Sequence, residues 1–409
     1  SASALRDAVA ATQTQLNWGL MSFVTAISSS SPGNGSLGGR LVSAINGGDS
    51  VASATGVMNA LMNYSGTIGD EVTRSLPVLI LAGVSAVVVA PVSEEFIFRG
   101  FLYTGGTNDT NGAELWRTAD GVRWRKIVSG GFGDKNNESV RGVAVFHNQL
   151  YIGLQNASGS GGQLWRSSNG LAFEPVSTDG FGDTTNISMH SMAILKDQLY
   201  IGTKNKDTLI QVWRTSDGDH YEQVVGPNAA IASGFGIPGN ILTQSMYVYN
   251  DVLYLGTGNA KDNGDPLNGF SVMRTSNGTQ WQPITVNGAG DIDNRFAWRF
   301  FAYQGYLWMG VGNFNIENGE GGQALRSLTG NQGSWEMMVG PNGTYAPTGF
   351  GNWMNWGIRT FAEYNGKLYL GTAQCWQDWC DPDVTGAEIW EWSGETCPVA
   401  GARKALRPE

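Results

Sequence analysis

The motif Leu-Tyr/Trp-x-Gly occurs six times, beginning at Leu102, Leu150, Leu199, Leu253, Leu307 and Leu368, at spacings of 48, 49, 54, 54 and 61 residues. A period of about fifty residues means that one supersecondary unit is repeated. A unit of that size cannot bury its own apolar face, so each must stack on the next.

The content of each unit is strand-like. A β-prone run ends in a turn, as in Phe146-His147-Asn148, and leads into the Leu-Tyr-x-Gly run. A Gly/Asn-rich loop follows, then a third run ending in Trp116-Arg117, Trp165-Arg166 or Trp213-Arg214, with Arg274 and Arg326 at the same place. Next comes a tight turn: Thr118-Ala119-Asp120-Gly121, Ser167-Ser168-Asn169-Gly170, Thr215-Ser216-Asp217-Gly218 and Thr275-Ser276-Asn277-Gly278. Asp-Gly and Asn-Gly favour tight hairpins because both residues tolerate φ > 0. An aromatic stands three residues past each Gly: Trp124, Phe173, Tyr221 and Trp281. Four short antiparallel strands per unit predict an all-β fold, a six-bladed β-propeller over residues 94–394.

The turn, Ser/Thr-x-Asp/Asn-Gly-x-x-aromatic, resembles the Asp-box (BNR repeat) of sialidase-type propellers, one residue shorter than the usual form. That resemblance covers about 300 residues and implies a fold and not a chemistry. No sialidase set of three arginines with a Tyr/Glu pair can be assembled. The Trp-Arg arginines recur at one place in five units and read as structural.

The chain before the repeats differs. Residues 1–75 read as a small helical region of unassigned role, with helices at 3–23 and 51–65. Residues 76–93 are apolar and admit two readings, a ring-closing strand or a membrane anchor. Residues 395–409 form a C-terminal tail. The run Glu94-Glu95-Phe96-Ile97-Phe98-Arg99 also resembles the E-E-x-x-x-R motif of CPBP/CAAX-type intramembrane proteases, which implies paired glutamates at a membrane-embedded site. Aligned on Leu102, however, Phe96–Tyr103 matches Ala144–Tyr151 and reads as the first strand pair of blade one. The three histidines, His147, His190 and His220, all fall inside the repeats.

A net charge of −10 argues against nucleic acid, whose phosphates need a basic surface. Of three cysteines, Cys375 and Cys380 lie in Cys-Trp-Gln-Asp-Trp-Cys and are expected to form a loop disulfide, with Cys397 left over. Sequons at Asn108, Asn137, Asn186 and Asn342 give secretion or cell-surface display slight support.

Strand order places two sets of loops on one face. Naming the strands of a unit A to D, the D-to-A loops carry Asn137, Asn186, Asn240, Asn294 and Asn355, each thirteen residues before the repeat Leu. The B-to-C loops start with Asn108, Asn156, Asn205, Asn259 and Asn313, with Gln374 in the sixth unit. A repeated loop Asn suits a turn staple. Asp134, Asp183, Asp291 and Asp293 in the D-to-A loops are weak candidates for calcium, since oxygen-rich loops suit that ion; otherwise no cofactor is expected. Nine residues before the repeat Leu the units diverge, with Arg141, His190, Gln244, Trp298 and Arg359. Strand A is innermost in a propeller, so these residues are expected to ring the channel mouth and meet a ligand there.

The expected function is a non-enzymatic binding or structural propeller with a protein or glycan partner. A glycan-active hydrolase at the channel mouth and a membrane-anchored intramembrane protease are the alternatives.

Overall fold

The computed structural model describes residues 92–259, 269–315, 320–374 and 387–392. The expected N-terminal helices, most of the apolar segment, Cys375, Cys380 and the tail lie outside them. Among the described residues no helix is long and apolar enough to cross a membrane.

The strands run as consecutive antiparallel units. The first holds β1 (Val92–Phe98), β2 (Phe101–Gly106), β3 (Glu114–Thr118) and β4 (Arg125–Val128). The second holds β5 (Asn137–Phe146), β6 (Gln149–Asn156), β7 (Leu164–Ser167) and β8 (Glu174–Ser177). The third holds β9 (Ser188–Leu195), β10 (Gln198–Lys204), β11 (Val212–Thr215) and β12 (Glu222–Val225). The fourth holds β13 (Leu242–Tyr249), β14 (Val252–Gly258), β15 (Val272–Thr275) and β16 (Gln282–Thr285). The fifth holds β17 (Asn294–Tyr303), β18 (Tyr306–Asn313), β19 (Gln323–Ser327) and β20 (Glu336–Val339). The sixth holds β21 (Asn355–Tyr364), β22 (Lys367–Gln374) and β23 (Ile389–Trp392). Each A strand packs beside the A strand of the next unit, β1 on β5, β5 on β9, and so on to β21. Neighbouring units thus meet along their innermost strands, which is the β-propeller arrangement.

The Glu-Glu-x-x-x-Arg run is strand β1 followed by the turn residues Arg99 and Gly100. It is not part of a membrane helix, which removes the structural basis of the protease resemblance. All six A-to-B connections are two-residue turns, such as His147-Asn148 and Asn365-Gly366, with φ between 45° and 76° at both residues. That is the hairpin geometry whose twist matches the flanking strands.

The core lies between the units. One cluster joins Phe98, Tyr103 and Leu115 of the first to Val140, Leu150 and Ile152 of the second; another joins Trp308 of the fifth to Phe361 and Trp392 of the sixth. The repeat Gly makes this contact close. A Cβ at Gly153 would come within 2.2 Å of the Met189 carbonyl, and one at Gly310 within 2.2 Å of the Ile358 carbonyl. The next unit's A strand occupies the space that any larger residue would fill.

Candidate functional site

The D-to-A and B-to-C loops share a face, tied together by the repeated asparagines. Asn186 is fully buried. Its Nδ2 donates to the Gly180 carbonyl at 2.9 Å and to Gln211 Oε1 at 2.9 Å, while its Oδ1 accepts from Asn205 Nδ2 at 3.0 Å. Asn137 and Asn294 repeat the pattern with Gln163 and Gln323. The backbone extends it between units. The Asn156 amide donates to the Ile187 carbonyl and the Asn205 amide to the Ile241 carbonyl, each at 2.8 Å. These asparagines staple one unit's loop to the next, as the spacing suggested. The sequons at Asn137 and Asn186 therefore name buried amides, closed to a glycan on the folded protein.

The aspartates expected to hold calcium take part in the same staples. Asp134 accepts from Asn156 Nδ2 at 3.0 Å, Asp183 from Gln211 Nε2 at 2.7 Å, and Asp291 from Asn313 Nδ2 at 2.8 Å. Asp293 lies 4.0 Å from the Arg295 guanidinium. Among the described residues no three His, Cys, Asp or Glu side chains gather as a metal shell would require.

The five divergent residues share one structural device. In β5, Val140 pairs with Leu154 and Gly142 with Gly153, leaving Arg141 as the extra residue of a β-bulge. The register skips His190 in β9, Gln244 in β13, Trp298 in β17 and Arg359 in β21 in the same way. In β1 the skip falls on Ser93 and Glu94. A bulge re-aims a side chain out of the sheet's alternation. A second register shift, one residue past the repeated Asn, carries Glu138, Arg295 and Trp356. Sequence reasoning passed over this second set, although it too varies at a fixed offset.

The charges of several units act on the bulge side chains His190 and Arg359. Burial, followed by the fields of Arg141, Lys204, Arg299 and Arg359, holds the His190 imidazole well below its usual range. Arg359, in the sixth unit, is lowered to about 9 by burial and by Arg141 and Arg299. Four cations drawn from the second, third, fifth and sixth units therefore act on one space, in a chain that is acidic overall.

Trp298 departs from the expected role. Only 7% exposed, it is too buried to offer a ligand a broad face. Its ring lies between glycines: a Cβ at Gly357 would fall 1.9 Å from Cζ3, and one at Gly312 would fall 3.0 Å from it. It packs on Trp356 at 4.6 Å between centroids, and the Arg359 guanidinium stands over it at 5.0 Å. Trp298 therefore supports Arg359. The Trp-Arg arginines are structural, as expected: Arg166 donates to the Gly218 carbonyl of the next unit at 2.9 Å and to Glu174 at 2.7 Å.

No family model and no curated protein matches the chain. Among solved structures it is similar to an α-L-arabinofuranosidase from Clostridium thermocellum, at 14% identity over 57% of this chain and 87% of that one, with a TM-score of 0.34. It is also similar to the β-propeller domain of the Trilobed protease from Pyrococcus furiosus, at 10% identity over 76% and 85%, TM-score 0.39. A xyloglucanase from Xanthomonas campestris is similar at 15% identity over 74% of this chain, TM-score 0.43, and the chain spans 46% of that enzyme. Against the expectation of a non-enzymatic binding or structural propeller, several of these neighbours are glycoside hydrolases; the likeness itself is one of fold.

Proposed function

We propose that the protein is a glycan-active hydrolase working at the axial mouth of its loop-bearing face. The supporting observation is the shared bulge. One backbone device, repeated in β5, β9, β13, β17 and β21, delivers five side chains of four chemical types to equivalent positions. Packing positions such as the repeat Leu, Tyr and Gly keep their type from unit to unit; these positions do not.

Glycoside hydrolysis asks for two carboxyl groups about 5–10 Å apart across the scissile bond. Asp134, Asp183 and Asp291 are committed to loop staples. Glu138, at the second bulge of β5, is a carboxylate that the strand register brings to this end. Glu138 accepts a hydrogen bond from Gln155 Nε2, which fixes its orientation.

The test is release of reducing ends from a panel of plant and bacterial polysaccharides. Wild type should turn over at least one of them. Glu138→Gln should lower that rate by about 10²-fold or more, the usual weight of a positioned acid or base, with an unchanged thermal midpoint. A folded protein that cleaves no glycan ends the proposal.

A further inference from the structure

The ring has one junction unlike the others. Among the described residues, apolar clusters join the first unit to the second, the second to the third, the third to the fourth, the fourth to the fifth and the fifth to the sixth. Among those residues no cluster joins the sixth to the first. The one around Ala362 and Tyr369 holds residues of the sixth unit alone, with Tyr364, Ala387 and Ile389 against it. Nor does β21 pack along β1 as the other innermost strands pack along their successors. The reaching side chains differ too. Tyr103 and Arg166 each donate to a glycine carbonyl in the next unit's turn, at 3.2 and 2.9 Å. In the sixth unit Glu391 stands where that arginine recurs. It accepts from Lys367 at 2.8 Å and from the Tyr369 hydroxyl at 2.9 Å, both in its own unit. β23 is the last of three described strands in the sixth unit, where each of the other five units has four.

A bare strand edge presents unpaired N–H and C=O groups and invites pairing. The chain carries a segment spaced to cover this one. In five units a Gly stands nineteen residues before the repeat Leu: Gly131, Gly180, Gly234, Gly288 and Gly349. Gly83 stands nineteen residues before Leu102. Strands β4, β8 and β16 end three residues before their Gly, at Val128, Ser177 and Thr285. The same offset from Gly83 falls on Pro77-Val78-Leu79-Ile80, inside the run Leu76–Val92, which has no charged residue. The tail fits less well. Fourth strands begin eight residues past the arginine, as Glu174 follows Arg166. Eight residues past Glu391 the chain reads Val399-Ala400-Gly401-Ala402, a stretch poor in strand-forming side chains.

We infer that residues 77–80, which lie outside the described residues, dock on β23 as the fourth strand of the sixth unit and so tie the two ends of the ring together. The other units set the register of that pairing. Leu115 faces Val128, Leu164 faces Ser177 and Val272 faces Thr285, which puts Ile80 opposite Ile389. The segment runs on into β1, so the chain before the first unit completes the last. Its apolar side chains cover the sixth unit and do not enter a membrane.

The experiment is a cysteine pair in the full chain. Ile80→Cys and Ile389→Cys are combined with Cys375→Ser, Cys380→Ser and Cys397→Ser, and the folded protein is oxidised. Directly opposed residues of paired strands lie within disulfide reach. A bond within one chain should form, read by mass and by mobility on a non-reducing gel. It should raise the thermal midpoint by about 5 °C or more over the reduced form, because it closes a long loop. Leu79→Cys, on the opposite face of the strand, should bond to Ile389→Cys at least about tenfold more slowly. Absence of a bond overturns the inference, and so do equal rates from positions 79 and 80. A bond between two copies overturns it by making a second chain the occupant of the edge. A bond of Ile389→Cys to Val399→Cys overturns it in favour of the tail. Flotation of the wild-type chain with lipid vesicles, lost when Leu79 is changed to Asp, overturns it in favour of a membrane anchor.

Discussion

The Tyr200 hydroxyl lies against Gly278 of the next unit, so closely that a Cβ on Gly278 would stand 1.8 Å from it. The relationship repeats: Tyr151 lies against Gly218 and Tyr254 against Gly330 at 2.3 and 2.0 Å on the same measure, and Tyr103 donates to the Gly170 carbonyl at 3.2 Å. The Tyr of the Leu-Tyr-x-Gly motif and the Gly of the Asp/Asn-Gly turn are thus two halves of one contact between blades. Gly278 also has φ of +74°, which disfavours any side chain. Gly278→Ala should cost about 3 kcal/mol or more in a denaturant melt, from overpacking and backbone strain together. Tyr200→Phe in the same chain should recover about 1 kcal/mol of that loss, because the clashing hydroxyl is gone. Strict additivity of the two substitutions would show that the contact carries no energy.

Asn186 offers a second stability test. Its side chain satisfies the Gly180 carbonyl, Gln211 and Asn205 together, all near the loop-bearing face. Truncation to Ala breaks three buried hydrogen bonds and takes the side-chain donor from the Gly180 carbonyl, and should cost about 2–4 kcal/mol by thermal or chemical melt. A loss below about 1 kcal/mol would mean that water replaces the amide at no cost.

The aromatics after the turns, Trp124, Phe173, Tyr221 and Trp281, are half-buried. Trp281 lies in contact with Phe235 at 5.3 Å between centroids but keeps part of its surface exposed. Trp281→Ala should therefore cost about 1–2 kcal/mol, below the toll of emptying a sealed core site. A loss above about 3 kcal/mol would show that the ring is an inter-unit anchor after all.

Much of the fold was legible because its devices are local and repeated. Asn-Gly and Asp-Gly turns, the Leu-Tyr-x-Gly strand and the loop asparagines each carry their conformational reason in their own chemistry. The site was legible only in part. Divergence at a fixed offset singled out Arg141, His190, Gln244, Trp298 and Arg359, but the bulge that aims them depends on pairing with strand B and leaves no mark on strand A alone. Trp298 looked like a ligand contact because nothing in its own strand reveals the notch made by Gly312 and Gly357, 14 and 59 residues away. The aspartates looked like metal ligands because their amide donors come from other strands.

Arg359 makes a prediction of unusual sign. Most substitutions of partly buried residues destabilise, but burial, followed by the like charges of Arg141 and Arg299, lowers the pKa of this guanidinium to about 9. Arg359→Met keeps the stem on Trp298 and removes the charge. The thermal midpoint at neutral pH should hold or rise, by up to about 4 °C, and the gain should shrink in high salt as the repulsion it relieves is screened. A clear fall in the midpoint at low ionic strength would show that Arg359 is held by attraction.

His190 gives the pH dependence. Its folded-state pKa lies well below the ordinary value of 6.5, with burial as the largest cause and the four neighbouring cations adding to it. Between that ordinary value and the depressed one, the unfolded chain binds a proton that the folded chain does not. Stability contributed by the neutral ring is therefore present above about pH 6.5 and drains away as the pH falls below it. His190→Gln keeps a polar side chain at the bulge and cannot take up the proton. Melting midpoints of wild type and variant, measured from pH 7.5 to 5, should diverge below pH 6.5, with wild type falling the more steeply. Parallel curves for the two proteins across that range would place His190 outside the field of Arg141 and Arg359, and would break the convergence on which the site is built.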